Sequence, residues 1–109
     1  MGEREEAFKD FAYGMVFLRR VGDGNYQVLM VRNWREEWGL PKGHANDGED
    51  PREAAEREGH EETGLWPDWV IREGVESNYS FIGGDGRVEK TVVYYLGGVN
   101  DDVLSHVKK

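Results

Sequence analysis

The chain has 109 residues, with 22 acidic side chains against 14 basic ones, a net charge of −8 and no cysteine. That length predicts a single domain over residues 1–109 with a small core, and the acidic balance excludes a long nucleic acid held in a basic groove. The missing cysteines exclude disulfides and thiolate metal sites, in keeping with a reducing cytoplasm, and no apolar run approaches the ~18 residues of a membrane span.

In chain order, Met1 to Asp10 is polar and acidic and reads as a frayed lead-in. Phe11 to Arg20 is apolar and partly aromatic, as a buried strand is. Gly22-Asp23-Gly24-Asn25 is a turn signal, so Tyr26 to Arg32 is predicted to return as the second strand of a hairpin. Asn33 to Trp38 reads as a loop carrying two tryptophans, and Pro41 and Gly43 predict an extended approach with a sharp turn. A helix is predicted from Pro51 to Thr63. Asp50 is its N-cap, Glu53 stands at the capping-box position, and Gly64 stops it. Trp69 to Phe81 is predicted as a long strand broken near Gly74. Gly83 to Gly86 is a hairpin connection, and Arg87 to Val99 is the partner strand. Asp101 to Lys109 has apolar spacing for one helical turn at most. Strands, helix, strands in that order predict an α+β fold with a mixed sheet.

The helix carries Glu58, Glu61 and Glu62 at i, i+3 and i+4, on one face. A solvated acidic surface is the ordinary reading of such a run. Against it, like charges at these spacings cost about 0.2–0.5 kcal/mol per pair unless something positive sits among them. Converging hard oxygens suit Mg²⁺ or Mn²⁺. The wider spacing decides between the two readings. It runs Gly43, five residues, Glu49, seven residues, Arg57-Glu58, two residues, Glu61-Glu62, one residue, Gly64-Leu65.

This array resembles the Nudix box. One position departs, because Gly59 stands where an aliphatic residue is usual. A mid-helix glycine costs about 1 kcal/mol against alanine, and with Ala55 one turn earlier it would let the helix lie close on a sheet. The resemblance implies a Nudix-like α/β/α sandwich with the box helix on one face of a mixed sheet. It implies hydrolysis of a nucleoside diphosphate linked to another group. It also implies metal ligands Glu58, Glu61, Glu62 and the Gly43 carbonyl, and catalytic parts for Glu58, Glu61, Arg57 and Glu49, with one of the three helix glutamates free to act as base. Arg57 is expected to point away from the metal face, pairing with Glu49 and holding the loop on the helix.

The flanks, Trp38-Gly39-Leu40-Pro41-Lys42-Gly43-His44 and Asn78-Tyr79 with Lys90 to Leu96, resemble the asymmetric diadenosine tetraphosphate hydrolases. By that resemblance Lys42 and Lys90 contact phosphate as point charges. Tyr79 and Tyr94 stack on a base or simply pack in strands. His44 donates to phosphate or fixes the loop, and His60 reads as a solvated neighbour of the acidic face. The partner expected is a small nucleotide. The runner-up substrates are a nucleoside triphosphate, a nucleotide sugar or an RNA 5′ end, and the contrasting reading is a catalytically weak nucleotide-binding module. Two departures motivate that contrast. No Glu follows Glu89, where many relatives carry a late one. The family's further strand and C-terminal helix also have no counterpart before Lys109, so an uncovered sheet face and self-association are expected.

Overall fold

The structure is a computed structural model and describes residues 7–71 and 73–99. The expected helical turn beyond Asp101 lies outside the described residues, as do Asp101 and Asp102.

The two long strands are the frame. β1 (Phe8–Gly22) and β8 (Gly86–Val99) run parallel, in register from Phe8 opposite Val88 to Arg19 opposite Val99. The remaining neighbours are antiparallel. β2 (Asn25–Val28) and β5 (Lys42–Gly43) pair with β1, while β6 (Trp69–Val70) and β7 (Val75–Gly83) pair with β8. The sheet is therefore mixed, as the element order predicts. The parallel pair needs a crossover between β1 and β8, and the helix α1 (Pro51–Thr63) lies within it.

Three expectations are corrected. The lead-in is not frayed as far as Asp10, because β1 begins at Phe8 and Asp10 pairs with Lys90. The second strand is not continuous to Arg32. It breaks after Val28, and Val31–Arg32 forms β3, paired with β4 (Trp38–Gly39) in a separate small ladder. The segment between is accordingly not a plain loop. Asn33 closes it, its Oδ1 accepting from the N–H groups of Arg35 and Glu37 at 2.8 and 3.0 Å. The break in the third predicted strand falls where Gly74 marks it, between β6 and β7.

Strand alternation sorts the residues by face. Met15, Phe17, Ala55, Leu65 and Tyr95 form the buried core, with Tyr13, Leu29, Val70, Val93 and Val99 packed against it. α1 approaches closely here, since a Cβ on Gly59 would stand 3.0 Å from Met15 Cβ and the Phe17 ring. The departure at Gly59 is thus explained by proximity to the sheet. The opposite face carries Ala12, Gly14, Val92 and Tyr94 in alternate positions. Among the described residues α1 is the only helix, and no helix is long and apolar enough to cross a membrane.

Candidate active site

α1 is locally determined at both ends. Asp50 Oδ1 accepts from the Glu53 N–H at 2.8 Å, and Pro51 opens the first turn. That hydrogen bond holds the Asp50 carboxyl below its ordinary range. Gly64 ends the helix with φ at 81°, donating to the His60 carbonyl at 2.8 Å. His60 does not join the acidic face as a solvated neighbour. It stacks on Trp66 with ring centroids 4.0 Å apart, and its Nδ1 lies 3.3 Å from the Leu65 carbonyl oxygen.

Arg57 is the hub of the box. Nε and Nη2 bind the two Glu49 oxygens at 2.8 and 3.0 Å, a fork on a carboxylate. Nη2 also donates to the His44 carbonyl at 2.8 Å, which ties the loop to the helix. The expected pairing with Glu49 is there, but Arg57 does not point away from the acidic face. Nη1 donates to Glu58 Oε1 and Glu61 Oε1, both at 2.8 Å. The residue direction at Cβ differs from that of Glu58, yet the long stem carries the guanidinium back across, and Glu61 lies one turn along on Arg57's own side. Three carboxylates, Glu49 first, hold the Arg57 guanidinium well above its ordinary pKa. Arg57 in turn holds the Glu49 carboxyl below its own. This is the positive group whose absence would have made the carboxylate run unfavourable.

Glu58 is 16% exposed at its side chain. Its other face presses on Gly43, where a Cβ would overlap the Glu58 carboxylate. Glu62 stands beside it, next to the Lys42 backbone. Desolvation first, and then the like charge of Glu58, push the Glu62 carboxyl above its ordinary range. Glu58 and Glu62 are neighbouring hard-oxygen donors of the kind that suit a divalent cation, in a corner that tolerates no side chain at residue 43. Glu61 is drawn toward Arg57, and among the described residues no three acidic groups form a ready-made cage.

The expected nucleotide-contacting residues fall into two places. Lys42 lines a cleft of about 320 Å³ with Trp38, Asn33, Glu37 and Glu62. His44, Tyr79, Lys90 and Tyr94 belong to the sheet face opposite α1. Tyr79 is opposite Lys90 in the β7–β8 ladder, 48% exposed. The Tyr94 ring lies over Gly14, where a Cβ would come within 2.8 Å of it. Burial, and then Tyr79, raise the Tyr94 hydroxyl above its ordinary pKa. Trp34 is 84% exposed at the β3–β4 tip, with the Arg35 guanidinium 4.8 Å above its ring.

Sequence reasoning missed Asp10. Its Oδ2 is 2.5 Å from Lys90 Nζ and its Oδ1 is 2.9 Å from His44 Nε2. The available signal was phase: Asp10 alternates with Ala12 and Gly14 once the strand is extended back to Phe8.

A bis(5′-nucleosyl)-tetraphosphatase [asymmetrical] of Rattus norvegicus is 32% identical over 98 residues, covering 83% of this chain and 65% of that protein. A protein of the same description from Mus musculus is 34% identical over 77 residues, covering 70% of this chain and 51% of its own length. The chain therefore spans from about half to just under two thirds of the curated relatives it matches. The crystal structure of a C. elegans Ap4A hydrolase superposes with a TM-score of 0.66 at 27% identity, over 94% of this chain and 74% of that one. The model of the NUDIX domain matches residues 11–107, and with the box geometry in place the chain belongs to that family.

Proposed function

We propose that the chain is a divalent-metal-dependent pyrophosphohydrolase that cleaves diadenosine tetraphosphate asymmetrically, to ATP and AMP. The observation that carries this reading is the seating of Glu58, bound by Arg57 on one oxygen and pressed on Gly43 by the other, with Glu62 alongside. The likeness to asymmetric tetraphosphatases supports the substrate.

In this reading Glu58, Glu62 and the Gly43 carbonyl hold Mg²⁺ or Mn²⁺. The cation supplies neutralisation of the charge that builds on the phosphate oxygens. Glu61, 55% exposed at its side chain, is open to water and takes the proton from the attacking molecule as its oxygen bonds to phosphorus and the anhydride P–O bond breaks. Arg57 and Glu49 fix the loop so that Gly43 stays on Glu58. Lys42, His44 and Lys90 offer donors to phosphate, and the exposed Tyr79 with Tyr94 offers aromatic faces to a base.

Product chromatography tests this. ATP and AMP are expected from diadenosine tetraphosphate with Mg²⁺, and neither with a chelator. Hydrolysis of a nucleoside triphosphate or a nucleotide sugar instead would move the substrate assignment within the family. One observation favours a second reading. Arg57 already holds both Glu58 and Glu61, as a weakly catalytic nucleotide-binding module would tolerate. Metal-dependent nucleotide binding with no product from any substrate would establish that one.

A further inference from the structure

Three side chains meet on the sheet face opposite α1 from positions far apart in the sequence. Asp10 is on β1, His44 follows β5, and Lys90 is on β8. One Asp10 oxygen is 2.5 Å from Lys90 Nζ and the other is 2.9 Å from His44 Nε2. The strand register sets the arrangement. Asp10 is opposite Lys90 in the parallel ladder, and Lys90 is opposite Tyr79 in the antiparallel one, so Asp10, Lys90 and Tyr79 form one row across three strands. Neighbouring strands stand about 4.8 Å apart, so the backbones of Asp10 and Tyr79 flank that of Lys90 at one strand spacing on either side.

We infer that Asp10 is a positioning residue, which sets Lys90 and His44 as a paired clamp for the phosphate oxygens of the nucleotide. The inference rests on the nucleotide-hydrolase reading and deepens it.

A lysine ammonium has three donors and a flexible stem. Asp10 takes one donor and stops the stem from wandering, leaving the others for phosphate. The Lys90 side chain is only 14% exposed and Asp10 34%, so the pair is partly shielded from solvent. His44 is 65% exposed and is held at Nε2. A purely structural role would move stability and leave nucleotide affinity unchanged, so the function of Asp10 is read in affinity. Its negative charge opposes phosphate binding, so the direction of the effect is diagnostic. Positioning makes removal weaken affinity, whereas simple repulsion makes removal strengthen it.

The test uses the full chain and diadenosine tetraphosphate. Dissociation constants are measured by calorimetry with a chelator present, and KM and kcat with Mg²⁺. Asp10→Ala is expected to raise Kd and KM about tenfold with kcat within about twofold, with the chain still folded and only a small loss of melting temperature. Asp10→Glu should recover part of the loss. In the Lys90→Ala background, Asp10→Ala should add little, because the two act as a unit. An unchanged or lowered Kd in Asp10→Ala, or full additivity with Lys90→Ala, overturns the inference. If wild type binds the dinucleotide but releases no product, the hydrolase reading falls while the Kd comparison still decides Asp10. If wild type neither binds the dinucleotide with the chelator nor turns it over with Mg²⁺, both fall.

Discussion

The helix corner and the sheet face opposite α1 are assembled in different ways. Every contact of Arg57 reaches a residue between His44 and Glu61, within one continuous stretch. The Asp10 contacts reach 34 and 80 residues along the chain. The corner is built by helical periodicity and one returning loop. The face opposite α1 depends on the parallel ladder between β1 and β8, and a shift of one residue there would send Asp10 to the other side of the sheet. Charge that is arranged locally can be dense and self-neutralised, as around Arg57. Charge that is arranged by register is sparse, and each group carries more of the outcome.

The contrast can be broken first at the corner. Glu58→Gln keeps the shape and removes the charge of the residue seated between Arg57 and Gly43. It is expected to lower kcat by about a hundredfold or more, with the melting temperature nearly unchanged. Product formation and a thermal melt, run side by side, check this. A fully active variant would falsify the assignment of Glu58 to the cation.

The next largest effect is on stability, where helix and sheet meet. Gly59→Val would drive two methyls into Met15 and Phe17, already 3.0 Å from a Cβ. A loss of about 1–3 kcal/mol in urea unfolding is expected from overpacking. A neutral result would mean that α1 can ride away from β1.

On the face opposite α1, Tyr79→Ala is expected to raise KM by about tenfold without unfolding, from a stacking contribution of ~1–3 kcal/mol. Unchanged kinetics would return Tyr79, stacked 6.2 Å from Phe81, to a packing role.

The smallest effect expected is acidic. The hydrogen bond from Lys90, with a smaller one from His44, holds the Asp10 carboxyl below its ordinary value of 3.8 despite some desolvation. The folded state thus binds that proton less readily than the unfolded chain. Its contribution is present above the ordinary value and is lost as pH falls through the lowered one. Urea unfolding from about pH 5 to about pH 2.5 should show a shallower acid loss in Asp10→Asn than in wild type. Identical slopes would remove the Asp10–Lys90 pair from the stability balance.

Much of the corner was legible because its determinants are short-range. Asp50, Pro51 and Gly64 bound the helix where they were expected, and the spacing from Glu49 to Arg57 brought the expected pair together. The contacts from Arg57 to Glu58 and Glu61 were not legible, since the direction of a Cβ does not limit the reach of a guanidinium. Nor was the β3–β4 hairpin. Its short pairing is closed by the Asn33 side chain rather than by a glycine turn.

By itself, the sequence determined α1, its caps, and the acidic array with its arginine. These follow from periodicity, backbone freedom and spacing within a few turns of chain. Tertiary structure alone decided that Asp10 belongs to β1, that it faces Lys90 and His44, and that Tyr79 shares their row while Lys42 lines a separate cleft. The physical reason is that strand register and sheet face are collective. They are set by the burial of Met15, Phe17, Val92 and Tyr95 across paired strands, and no local stretch of sequence records which distant residue will stand opposite.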